Sequence, residues 1–162
     1  MVEVPSRGYQ PIENYGVIGD LYTVALVGMD GSIDFFAFPH FDSPTVFAAL
    51  LDHAKGGRFQ IAPQLTDARQ KQLYLPDSNI LLTRFLAAEG VAEISDLMPV
   101  EEVEQAHNLV RRVKTVRGEL CFRMLCAPRF DYGRASHRVE QQEGSVLFVS
   151  EGHDRTALRL HS

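Results

Sequence analysis

The chain is written in short apolar runs, each closed by a turn signal within a few residues, and that punctuation removes most of the folds open to 162 residues. Thr23 to Gly28 is strand-like, Asp30-Gly31 follows, and Ser32 to Phe38 resumes as a second strand. An Asp-Gly pair between two apolar runs is a tight-hairpin sequence. The pattern repeats downstream. Gly57 to Ala62, Asn79 to Leu86, Val91 to Leu97, Leu109 to Val116, Leu120 to Leu125, Ser145 to Ser150 and Thr156 to His161 all read as strands, with breaks at Ala88-Glu89-Gly90 and Arg117-Gly118. Many short strands at this spacing predict a mostly β fold, an antiparallel β-sandwich.

Helix is expected in one place. Ser43 is placed to cap, Pro44 stands at a first helical position, and Val46, Phe47, Leu50 and Leu51 give an apolar face at spacings of three and four over Ser43 to Leu51. The acidic stretch Glu101 to Gln105 reads as a solvated run. With no repeat, low-complexity tract or linker in view, residues 1–162 are expected to form one domain. The last strand-like run reaches Ser162, so strands of the sandwich are expected to be missing, and the chain reads as a fragment of a longer sequence or a shortened relative.

Composition narrows the function. At 45% hydrophobic and 23% charged, the chain is globular in character. A net charge of -5 argues against nucleic acid and anionic membrane as partners, since both need a basic surface. No apolar run is long enough to span a bilayer, and Met1 to Gln10 lacks an apolar signal core, so the expected compartment is the cytoplasm. Cys121 and Cys126 point to opposite faces if they share a strand, which makes a mutual disulfide unexpected.

The sequence lacks most catalytic constellations that spacing alone can reveal. There is no phosphate-cradling glycine loop, no Gly-x-Ser-x-Gly elbow, and no histidine pair at zinc-ligand spacing. No cofactor or metal is implied. Asp20, Asp30, Asp34 and Asp42 cluster early, but turns account for Asp30 and Asp20. Asp34 and Asp42 could serve as the two carboxylates of a glycosidase only if they faced each other across a bond. Eight of the sixteen basic residues lie between Arg111 and Arg138, near Phe122, Phe130 and Tyr132. The acidic total favours a solvated sheet face there over a single-strand binding face. The densest aromatic and polar stretch runs from Phe35 to Pro44. Phe35, His40, Phe41 and Asp42 are the candidate residues for touching a sugar or a neighbouring domain, because aromatic faces stack on sugar rings and carboxylates accept their hydroxyls.

A set of ordered motifs gives the chain a family. Pro11-Ile12-Glu13-Asn14-Tyr15, Ile18-Gly19-Asp20, Ala25-Leu26-Val27, Asp30-Gly31-Ser32-Ile33-Asp34 and Pro39-His40-Phe41-Asp42-Ser43-Pro44 come first. Tyr74-Leu75-Pro76-Asp77-Ser78-Asn79, Asp96-Leu97-Met98-Pro99 and Pro128-Arg129-Phe130-Asp131-Tyr132-Gly133 follow. In this order they resemble the amino-terminal region of bacterial glycoside hydrolase family 15 proteins, the glucoamylase and trehalase-like group. Two positions depart from that pattern: Phe35 stands where the family usually has Trp, and His40 where it usually has Arg.

The resemblance implies a large β-sandwich (super-sandwich-like) that precedes an α/α barrel carrying two catalytic glutamates. The barrel sequence is absent here, so no catalytic residue carries over. The expected role is that of a non-catalytic domain packing beside the barrel of an enzyme that hydrolyses terminal α-glucosidic bonds or trehalose. The alternative is a stand-alone carbohydrate-binding β domain for α-glucan or trehalose. The expected partners are that barrel or a second copy of the chain.

Overall fold

The computed structural model describes residues 8–100, 107–153 and 155–162. Their strands form three antiparallel sheets. The first contains, in spatial order, β1 (Tyr15–Gly19), β2 (Val24–Gly28), β3 (Ser32–Ala37), β5 (Arg58–Pro63) and β10 (Phe122–Ala127), with β4 (Thr45–Phe47) alongside β3. The second is β6 (Arg69–Tyr74), β7 (Leu81–Leu86), β8 (Val91–Leu97) and β9 (Val110–Arg117). The third is β11 (His137–Gln142), β12 (Ser145–Ser150) and β13 (Ala157–His161). The mostly β sandwich expected from the punctuation is therefore present.

Strand alternation decides what faces inward. On β8, Ala92, Ile94 and Asp96 are buried while Val91, Glu93 and Ser95 are only half-buried. Ile18, Ala25, Val27, Ile33, Phe59 and Ile61 of the first sheet belong to one core with Leu81, Phe85, Ala92 and Ile94 of the second. Phe47, Phe130 and Phe148 carry that core on toward the third sheet.

The Asp30-Gly31 hairpin forms between β2 and β3. Gly31 donates to the Gly28 carbonyl at 2.9 Å, and the Asp30 carboxylate accepts from the Ser32 N–H and hydroxyl at 3.1 and 2.6 Å. Gly31 takes a positive φ of 78°, and a Cβ there would stand 2.1 Å from the Ile61 carbonyl oxygen, so two requirements select glycine at once.

The helix expected over Ser43 to Leu51 is not formed. Thr45–Phe47 is β4, with Phe36 opposite Phe47 and Ala37 opposite Thr45. The reason lies in burial. Val46, Phe47, Ala48 and Ala49 are buried consecutively, whereas a surface helix would bury one face only, and Leu51 from the supposed apolar face is 59% exposed. A short helical turn occurs instead at Phe130–Gly133, where Asp131 and Tyr132 have positive φ values of 51° and 56°. The acidic stretch Glu101 to Gln105 lies outside the described residues.

Both cysteines are free: Cys121 is exposed just before β10, and Cys126 is half-buried on it. Among the described residues, no helix is long and apolar enough to cross a membrane.

Candidate functional site

Three segments meet at one end of the first sheet. The first is the link between β1 and β2. Asp20, 2% exposed, accepts from the Tyr22 and Thr23 N–H groups at 3.0 and 2.9 Å through Oδ1, which makes the turn anticipated from the Gly-Asp sequence. The turn holds Leu21 at a positive φ of 79° and leaves its side chain 77% exposed. The second is the loop from β3 to β4, entered through a cis Phe38-Pro39 peptide. Ser43 Oγ accepts from the His40 N–H at 3.1 Å, and the Ser43 N–H returns to the His40 carbonyl at 3.1 Å. Ser43 thus closes a loop, not the start of a helix. Phe41 donates its N–H to the Tyr22 carbonyl at 3.0 Å, fastening the loop to the turn.

The third segment supplies His107. Its Nδ1 lies 2.5 Å from Asp20 Oδ2, and both side chains are 3% exposed. Tyr22, Phe38 and His40 surround the imidazole, with ring centroids 5.5, 5.4 and 6.4 Å away. Burial pushes the Asp20 carboxyl up. The N–H donors of Thr23 and Tyr22 and the His107 contact more than offset that, so the carboxyl titrates below its ordinary value.

The four candidate residues separate here. His40 joins the imidazole and tyrosine cluster; Phe41, 58% exposed, and the exposed Asp42 form the tip of the loop. Phe35 does not join them: it sits within β3 opposite Leu26, half-buried. Phe36 is buried in the core and Phe38 packs against it, so of the phenylalanines in this run Phe41 is the one exposed, with the exposed His40 beside it.

The carboxylates Asp34 and Asp42 are likewise apart in role. Asp34 is buried on β3, where Oδ2 accepts from the Tyr15 hydroxyl at 2.9 Å and lies 3.0 Å from Ser32 Oγ, and Oδ1 lies 3.7 Å from Arg58 Nε. Asp42 is out on the loop. Of the aromatics near the basic cluster, Phe130 is in the core, and Tyr132 is exposed beneath the Arg134 guanidinium at 5.4 Å. Among the described residues no group of three or more His, Cys, Asp or Glu could hold a metal ion. His107 is the residue that sequence reasoning missed, since a lone histidine carries no signal until a partner 87 residues away is known.

Comparison with known proteins settles the family. The model for the trehalase-like amino-terminal family matches residues 6–160. This chain belongs to that family. Among curated relatives, it is 30% identical to a trehalase of Thermoplasma volcanium over 92% of the chain and 25% of that protein. It is 36% identical to Trehalase 1 of Sulfolobus acidocaldarius over 88% of the chain and 23% of that protein. A Mycolicibacterium smegmatis trehalase matches at 31% over 79% of the chain and 22% of its own length. The chain thus spans about a quarter of the length of the relatives it matches. No solved structure gives a significant match.

Proposed function

We propose that this chain is the non-catalytic amino-terminal domain of a family 15 glycoside hydrolase. On this reading the parent enzyme cleaves terminal α-glucosidic bonds in the trehalase or glucoamylase manner, and the chain packs beside its α/α catalytic barrel. The observation that carries the reading is the end of the sheet built on Asp20 and His107. There Leu21 and Phe41, both largely exposed apolar side chains, are held in fixed positions by a buried polar pair and a backbone hydrogen bond. Exposed apolar groups positioned over a buried polar pair suit an interface that must present one shape. His40, Phe41 and Asp42 would then shape the mouth of the barrel, while Phe35 would only support the strand behind them.

Two experiments test the reading. The chain alone is expected to release no glucose from trehalose, maltose or starch; turnover abolished by Asp34→Asn or Asp42→Asn would overturn the non-catalytic role. Mixed with the Sulfolobus acidocaldarius Trehalase 1 catalytic portion, stripped of its own amino-terminal region, the chain is expected to bind it and raise its trehalose hydrolysis. Leu21→Asp with Phe41→Asp is expected to abolish both effects. Association that ignores those two substitutions would place the interface elsewhere.

A further inference from the structure

Away from the His107 cluster, a cleft of about 160 Å³ opens beside the start of β1. Tyr9, Gln10, Tyr15, Asp34, His53 and Arg58 contribute to its wall. Nothing in the proposed packing role uses it. We propose that this cleft binds a single hexopyranose unit or a similar small polyol.

Four observations support that ligand chemistry. First, Asp34 lines the cleft with its side chain 93% enclosed, and its Oδ1 has no hydrogen-bond donor among the described residues, only the Arg58 guanidinium at 3.7 Å. A buried carboxylate oxygen left unsatisfied is costly, and a ligand hydroxyl is the donor it lacks. Second, Asp34 is fixed on its other oxygen by the Tyr15 hydroxyl at 2.9 Å, so the acceptor is already oriented. Third, Tyr9 stands at the rim 61% exposed, with its hydroxyl accepting from the His53 N–H at 3.4 Å and its ring edge-on to His53. An exposed ring held in place offers a face to the C–H side of a sugar. Fourth, the volume suffices for on the order of ten waters, comparable to the heavy atoms of one pyranose and short of a disaccharide.

The charges exclude the nearest competitors. Asp30 and Asp34 stand against Arg58, which leaves the cleft net negative and unfavourable to phosphates and sugar acids. Asp30 is saturated by Gln10, Ser32 and Gln60, so Asp34 Oδ1 acts alone and offers no carboxylate pair to a divalent cation. Arg58 is steadied by donating to His53 Nδ1 at 2.8 Å, which keeps a guanidinium edge beside the free oxygen. A neutral polyol with adjacent hydroxyls can use both.

The test is amide-resolved NMR titration of the chain with glucose, trehalose, glycerol and calcium chloride. Glucose is expected to shift the Tyr9, Gln10 and His53 amides saturably, with a Kd of about 1–10 mM for a ligand of this size. Tyr9→Ala and Asp34→Asn are each expected to weaken binding at least tenfold. Tyr9 is exposed, so that variant remains informative even if Asp34→Asn fails to fold. No saturable shift with any polyol, shifts with calcium alone, or glucose shifts that survive Tyr9→Ala would each overturn the assignment. The measurement needs no catalytic partner, so its outcome is independent of the barrel-packing role.

Discussion

Arg111 lies bidentate on Asp96, Nε to Oδ1 at 2.7 Å and an η nitrogen to Oδ2 at 3.3 Å, with both side chains almost wholly enclosed. The same guanidinium reaches out of the second sheet to the Gly31 and Phe59 carbonyls of the first, at 2.7 and 3.0 Å, and stacks 4.9 Å over the Phe59 ring. One side chain therefore bolts the two sheets together at the β2–β3 hairpin. Burying two charges is tolerable only because their donors and acceptors are matched.

Removing both members should cost less than removing each separately would add up to. Asp96→Ala leaves a buried guanidinium without its counter-charge and is expected to cost about 3–5 kcal/mol. The double variant Asp96→Leu with Arg111→Met is expected to lose less than the sum of its single changes. Urea denaturation of the natural protein, Asp96→Leu, Arg111→Met and the double variant provides the measurement, and additive losses would mean that the two residues do not act as a unit.

Gly31 receives that guanidinium on its carbonyl while its own α-carbon faces the Ile61 carbonyl. Gly31→Ala adds a Cβ where 2.1 Å is available and demands a positive φ of a residue that resists it. A loss of at least about 1 kcal/mol is expected. Asp30→Asn, by contrast, keeps the turn acceptor and should perturb the hairpin less. Thermal melts of the two variants compare them directly.

Sequence reasoning found what local chemistry encodes and missed what distance encodes. The β2–β3 hairpin, β7, β8, β12 and β13 were legible because apolar runs end in turn residues within the same few positions. β6 and β11 were not: Arg69–Tyr74 and His137–Gln142 are polar, solvated edge strands whose identity comes from pairing with β7 and β12. β1 was obscured by its two glycines, Gly16 and Gly19. β4 read as helix because a fully buried run satisfies helical spacing as readily as strand spacing. In the basic cluster, Arg111 alone of its strand turns inward, and only its long-range carbonyl partners reveal that. At the candidate site the loop was legible from its aromatic density, but Phe35 proved separate from it, and the His107 partnership depends on a contact across the fold.

The two thiols should separate by reactivity. Cys121 is exposed, while burial pushes the Cys126 thiol up to about 11, with the Arg111 charge opposing it. The thiolate is the reactive form. At pH 8 one equivalent of a disulfide reagent such as Ellman's should react promptly, and the second only on unfolding. Mass spectrometry after alkylation is expected to place the fast label on Cys121; rapid labelling of both would mean that β10 opens freely from β5.

His137 gives the third sheet a pH dependence of definite sign. It lies on β11 between the Phe130 and Phe148 rings, at 5.6 and 6.0 Å, opposite Ser150 of β12. Burial lowers its pKa, the Arg129 charge lowers it further, and Glu151 opposes them. A histidine whose folded pKa is depressed binds protons more readily when unfolded, so protonation favours unfolding. Above the unfolded value of about 6.5 the residue is neutral in both states and costs nothing. As pH falls below that value, stability declines until the folded pKa is passed. His137→Gln removes the titration while keeping a polar side chain on the strand. Urea midpoints measured from pH 7.5 to pH 5 should therefore fall more steeply for the natural sequence than for the variant. Parallel curves would mean that His137 titrates alike in both states and that the rings do not exclude water from it.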